Sequence, residues 1–214
     1  RTVLALGSKP GKLPEGWLIQ ATALLRVRPA LVDEIAPLFF APQIGARGRA
    51  LVMDLLASAG HRSAQRAMQK LVEESEGRVD ARERVRLVQR FSLLAEPEVE
   101  SATFIANLLA RTRAEKNEHL SYACAYSLGA IARGLARRGQ RTLASGYVAE
   151  LMRDYQASKS NDEASALLGA LGNAARPEAL ETILKAAKHP DRLRRLNAAR
   201  ALRLYANAEA RGRL

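Results

Sequence analysis

Apolar residues return every three or four positions along most of the chain, with short polar breaks between runs, and this period near 3.6 predicts helices rather than strands. Helices are expected near residues 15–27, 29–40, 46–58, 62–75, 80–94, 97–112, 118–137, 140–157, 161–174, 177–187 and 190–206. Alternate helices carry matching stripes. Ala64, Ala67, Met68, Leu71 and Val72 form one; Ala102, Ile105, Ala106 and Leu109 form the next; Tyr147, Val148, Leu151 and Met152, then Leu180, Ile183 and Leu184, follow. This spacing gives each helix one buried face. Pro29, Pro97, Pro177 and Pro190 fit first helical turns, where a missing amide proton costs nothing. Asp80 with Glu83 and Ser160 with Glu163 have the spacing of a capping box. Gly60, Gly134 or Gly139, and Gly172 fall near helix ends.

The intervening helices share a second pattern. The phrase Ala170-Leu171-Gly172-Asn173-Ala174-Ala175-Arg176-Pro177 recurs upstream in degenerate form, and Leu56, Phe91, Leu128, Leu171 and Leu202 occupy its anchor position. Their spacings are 35, 37, 43 and 31 residues. One turn before each anchor stand Val52, Leu87, Cys124, Leu167 and Ala198, on the same helical face. The next residue is small in four copies (Ala57, Ser92, Gly129, Gly172) and Arg203 in the fifth, which predicts close helix contact at that level. A weaker sixth copy precedes them with Ala21 and Leu25. Two helices per period of 31 to 43 residues mark a repeat protein whose apolar faces are buried only by stacking. The third repeat is the longest, and a longer hairpin connection is expected between Ala130 and Leu143.

These elements predict an all-α fold, an α-α superhelix (α-solenoid) of about five to six helical hairpins. Residues 1–14 read as an extended lead-in and loop, and residues 15–214 as one solenoid domain, a segment of a longer chain. Within the lead-in, Gly7-Ser8-Lys9-Pro10-Gly11-Lys12-Leu13 falls short of a phosphate-binding loop, having three residues between its glycines and Leu13 where a hydroxyl is needed.

Two nested families are similar to this pattern. Arg49 to Leu56 and Arg195 to Leu202 resemble the helices of HEAT-type α-solenoids. A narrower resemblance, over roughly residues 46–206, is to the helical domain of the large lipid transfer proteins, the vitellogenin and microsomal triglyceride transfer group. It rests on the order of Tyr126-Ser127-Leu128-Gly129-Ala130-Ile131-Ala132, then Leu167-Leu168-Gly169-Ala170-Leu171-Gly172-Asn173-Ala174, then Arg195-Leu196-Asn197-Ala198-Ala199-Arg200-Ala201-Leu202. The resemblance implies a double layer of helices that embraces lipid-binding sheets and contacts other protein. The sheets themselves are not in this sequence.

Composition adds a direction. Hydrophobic residues make up 48% of the chain but aromatics only 5%, which suits close helix packing and argues against base-stacking platforms for single strands. Net charge is +12, and residues 185–214 hold nine Lys and Arg against Asp191 and Glu209. Arg82, Arg86 and Arg90 form a stripe along one helix, read as a solvated face or a groove lining. Candidates for a basic partner-binding surface are Arg133, Arg137, Arg138, Arg141, Arg192, Arg195 and Arg203, and phosphate recognition requires that several converge.

Chemistry for catalysis is not suggested. His61, His119 and His189 are scattered, each in or beside a corner, and Cys124 fills a core column. With one cysteine there is no disulfide within the chain and no thiolate metal site, and no apolar run reaches 18 residues. No cofactor is expected. The sequence therefore points to a non-catalytic scaffold for a protein partner or the rest of its parent chain. Two alternatives stand beside it: a lipid-associated module of a larger transporter, implied by the resemblance, and a basic-surface binder of nucleic acid or another phosphate-rich partner.

Overall fold

The computed structural model describes residues 15–205, and both the 1–14 lead-in and the expected basic residues Arg211 and Arg213 lie outside them. Among the described residues the fold is all-α, an α-solenoid of eleven α-helices. They are α1 (Trp17–Val27), α2 (Leu31–Ile35), α3 (Ala46–Ala59), α4 (Arg62–Glu74), α5 (Ala81–Gln89), α6 (Val99–Ala114), α7 (Glu118–Arg137), α8 (Arg141–Ala157), α9 (Asn161–Ala174), α10 (Pro177–Ala187) and α11 (Arg192–Ala201). Among the described residues, packing forms two compact units that divide between Ser101 and Ala102, within α6.

Three expected helices are shorter than their apolar patterns. The second ends at Ile35 and continues as a 3-10 turn, Ala36–Phe40, because Pro37 has no amide proton for the α pattern. The helices expected to reach residues 94 and 206 likewise tighten into 3-10 turns at Arg90–Leu93 and Leu202–Leu204. Of the four prolines only Pro177 takes a first helical position; Pro29, Pro97 and Pro190 precede their helices by one or two residues. Asp80 and Ser160 do cap α5 and α9, accepting from the Glu83 and Glu163 amides. Only this half of each box forms, since the Glu83 carboxylate pairs with Arg49 of α3 and the Glu163 carboxylate accepts from the Lys159 amide instead of that of Ser160.

The anchor columns form the core. Val52 with Leu56, Leu87 with Phe91, Cys124 with Leu128, Leu167 with Leu171, and Ala198 with Leu202 are all buried, as is Leu25 of the sixth copy. In the first unit α1 packs on α3, and α3 on α4. Arg90 reaches back to Asp54 at 2.6 Å. Buried Gln65 pins the next corner, donating to the Gly60 and Glu96 carbonyls while accepting from the Glu98 amide and the Ser101 hydroxyl.

In the second unit α7, α9 and α11 form one layer, and α8 and α10 the other. Two glycines set the spacing of the first layer. A Cβ on Gly129 would stand 2.0 Å from the Ala170 carbonyl oxygen, and one on Gly172 would stand 2.5 Å from the Ala201 Cα. The residue after each anchor therefore meets the residue before the next anchor. Gly172 lies two residues before the end of α9, and the close contact expected after the anchor is its role; the left-handed cap is Ala175, at φ 48°.

The extra length of the third repeat is also not a loop. Only Arg138–Gln140 join α7 to α8, while α7 runs nine residues past Leu128, where α9 runs three past Leu171.

Two kinds of glycine are thus distinguishable by mutation. Gly146 in α8 has no neighbour within 4 Å of an added Cβ. Gly146→Ala is expected to stabilise the fold by about 0.5–1 kcal/mol, through helix propensity. Gly129→Ala and Gly172→Ala are expected to destabilise it by about 1–3 kcal/mol, because backbone must move. Urea denaturation followed by circular dichroism measures both signs, and a stabilising Gly172→Ala contradicts the packing account.

Candidate functional site

The long α7 builds an arginine-lined concavity in the second unit. With Gly129 level with Ala170, α9 ends opposite Arg133, and the last four residues of α7 project about 6 Å beyond it. The projecting turn overhangs the α9–α10 corner and encloses an open cavity of about 420 Å³. Four arginines line it: Arg133 and Arg137 from α7, Arg141 at the first position of α8, and Arg176 at the corner before α10. The remaining wall is short and apolar, from Ala136, Ala174, Ala175 and Leu204.

The charges are largely uncompensated. Arg133, Arg137 and Arg141 make no ion pair with the described residues. Burial lowers the Arg133 pKa from its usual value, and the neighbouring positive charges of Arg137 and Arg203 lower it further. Arg176 is partly committed, with its Nη2 3.0 Å from the Glu178 carboxylate, yet its Nε is buried without a hydrogen-bond partner. Burial raises the Glu178 pKa, but hydrogen bonds from Ser145, the backbone and Arg176 outweigh it and hold the carboxyl below its ordinary range. The first turns of α8 and α10 border the same cavity without side-chain caps. Their positive ends add to the field of the guanidinium groups.

Asn173 holds the layer together beside this corner. Its Nδ2 donates to the Tyr126 carbonyl at 3.3 Å, and its Oδ1 accepts from Arg203 at 3.2 Å. Arg203 also approaches the Tyr126 hydroxyl at 3.5 Å. One amide thus links three successive first-layer segments. Asparagine suits this place because its buried amide offers a donor to the Tyr126 carbonyl and an acceptor to the Arg203 guanidinium.

Of the seven arginines expected from sequence, the structure brings Arg133, Arg137 and Arg141 to one cavity and sets Arg203 at its edge. Arg138 closes α7 as its C-terminal cap and is absent from the lining. Arg192 and Arg195 sit toward the other end of α11, about 10–15 Å along the helix from the Leu202–Leu204 turn. Arg195 donates to the carbonyls of His189 and Pro190. Arg176 was not foreseen; its place before Pro177 in the corner phrase was the available signal. His61 accepts from the Ala64 amide as the cap of α4, His189 accepts from the Asp191 amide, and Cys124 is buried. Among the described residues no three His, Cys, Asp or Glu side chains gather as metal ligands, and no helix is long and apolar enough to cross a membrane.

A second, more apolar groove of about 670 Å³ lies in the first unit, between the Ala36–Phe40 turn and α4. Pro37, Phe40 and Leu71 contribute to it. The Arg78 guanidinium lies 3.7 Å from the Phe40 ring centroid.

Stacked hairpins, buried anchor columns and neighbour-to-neighbour packing define an α-solenoid. The model of the vitellogenin TPR domain matches residues 21–211, so the chain belongs to that family, a helical domain of lipid transfer proteins. The match takes in the degenerate copy around Leu25 as well as the stretch 46–206 that carries the resemblance. No curated protein and no solved structure matches the chain.

Replacing Asn173 by Ala removes the shared partner of Tyr126 and Arg203. The expected loss is about 0.5–1.5 kcal/mol, the net range of an intramolecular hydrogen bond, since Tyr126 and Arg203 are exposed residues. Denaturation of Asn173→Ala beside Asn173→Asp checks it, since the carboxylate still accepts from Arg203 and is expected to lose less.

Proposed function

We propose that this chain is a non-catalytic helical-repeat scaffold, the helical module of a lipid-transport protein, which holds a protein partner or the remainder of its parent chain. The observation that carries this reading is the match to the vitellogenin TPR domain across residues 21–211. The distribution of side chains supports it: the apolar columns are used between helices, and both main concavities are open surface features edged by charge. A solenoid of this kind offers a broad contact surface built from successive repeats. We read the hairpins as HEAT-type because their anchor columns, periods and corner proline follow that pattern. The basic surface formed by Arg133, Arg137, Arg141 and Arg203, with Arg176, is the part of the scaffold we assign to partner contact.

Lipid association is the second reading, and the family favours it over nucleic acid. In this reading lipid is held by segments outside the solenoid, which braces them.

Cross-linking of the intact protein in its own cells tests the scaffold. Links are expected from lysines such as Lys70, Lys159 and Lys185 to another polypeptide or to a distant segment of the same chain. They should still form when the cross-linker is added at about 0.5 M salt, which screens surface charge. A protein recovered alone, with links only between neighbouring repeats, overturns the proposal. Native mass spectrometry of the same preparation is expected to show lipid adducts if the lipid reading holds, and bare protein if it does not.

A further inference from the structure

We infer that the arginine corner of the second unit is a binding site for a phosphomonoester oxyanion. The inference rests on reading that corner as a contact site, and it stands or falls independently of which polypeptide the scaffold holds.

Charge balance is the first argument. Arg133, Arg137, Arg141 and Arg176 line one cavity, Arg203 adds its charge near Arg133, and Glu178 is the acidic side chain hydrogen-bonded there. Guanidinium groups so close repel one another, and a single carboxylate neutralises one of them. A phosphomonoester carries about −1.5 to −2 charges and three acceptor oxygens in one compact group. It matches several planar donor forks at once.

Donor geometry is the second. Arg176 is largely committed, its Nη2 engaged by Glu178 and its Nε buried away from the open space of the cavity. Arg137 and Arg141 are exposed and lack ion pairs among the described residues. Donors therefore remain free on α7 and α8, while Arg176 adds its charge from the α9–α10 corner.

The walls give the third. Alanines and Leu204 leave no aromatic face among the lining residues, so nothing there stacks a nucleobase. A cavity of about 420 Å³ has room for a phosphate group and the first atoms of what carries it. The recognised chemistry is shared by a phosphatidate-type headgroup at a lipid surface and by a free soluble phosphate ester.

Thermal unfolding with inorganic phosphate, at constant ionic strength held with chloride, tests the site. At about 100 times its dissociation constant, phosphate is expected to raise the midpoint by about 5 °C. The double variant Arg137→Gln/Arg141→Gln should weaken binding about tenfold or more, through lost charge-assisted hydrogen bonds. Arg192→Gln/Arg195→Gln removes equal charge elsewhere and should leave it intact. General salting stabilises all three proteins alike, so an equal shift in wild type and both pairs overturns the proposal. An equal loss in both pairs overturns it too, since net charge is then responsible.

A measurement on the unaltered protein guards against misfolded variants. Phosphate should protect Arg137 and Arg141, but not Arg192 and Arg195, from an arginine-specific dicarbonyl reagent, read by mass spectrometry. Uniform protection or none counts against the site. Vesicles of phosphatidylcholine with phosphatidic acid, compared with phosphatidylglycerol at equal charge, then separate the sources. Pocket-dependent preference for phosphatidic acid supports the site with a headgroup ligand. Phosphate binding without vesicle binding supports it with a soluble one. Equal vesicle binding that ignores the pocket variants, with no phosphate effect, refutes it. Cross-links to a polypeptide can persist through every one of these results, so failure here is distinguishable from failure of the scaffold reading.

Discussion

Side chains ordinarily keep packed helices 8–10 Å apart, and the second unit removes them where α7 meets α9 and α9 meets α11. Gly129 lies against the Ala170 backbone, and Gly172 against Ala201. These contacts fix more than distance. Each joins the residue after one anchor to the residue before the next, which sets the axial register of the layer. Asn173 can reach Tyr126 and Arg203 only in that register. The same register leaves the end of α7 without a neighbour of equal length, and the arginine cavity lies under that end. Packing and candidate chemistry therefore share one cause.

Much of the fold was legible because repeats report their core several times over. Leu56, Phe91, Leu128, Leu171 and Leu202 are separate instances of one buried position, and the bounds of α7, α9 and α10 follow the apolar pattern and its caps. The failures have local causes. Periodicity does not separate an α turn from a 3-10 turn, so the segments at Ala36–Phe40, Arg90–Leu93 and Leu202–Leu204 read as continued helix. Gly172, expected near a helix end and in close contact, is found in both places, while the left-handed cap itself falls to Ala175, which sequence gives no reason to single out.

The candidate site was legible in part for a related reason. Arg133, Arg137 and Arg141 stand close in sequence, on one helix and at the start of the next, so their proximity needs only a tight hairpin. Arg176 joins them from another repeat, and that meeting depends on the register between α7 and α9. No pattern within one repeat contains that information. Arg192 and Arg195 belonged to the same basic tally, but charge counted along a chain takes no account of which end of a helix it occupies. The third repeat's added length looked like a connection for the same reason: length is visible in sequence, while its division between helix and loop depends on packing.

Cys124 turns the anchor column into a clock. Its thiol is buried, between neighbours whose own burial depends on the stacked hairpins on either side. A thiol reagent can reach it only when α7 separates from those neighbours, so the rate of its modification measures how often the second unit opens. The single cysteine thus gives the protein a built-in gauge of local breathing, located at the helix that also shapes the arginine corner.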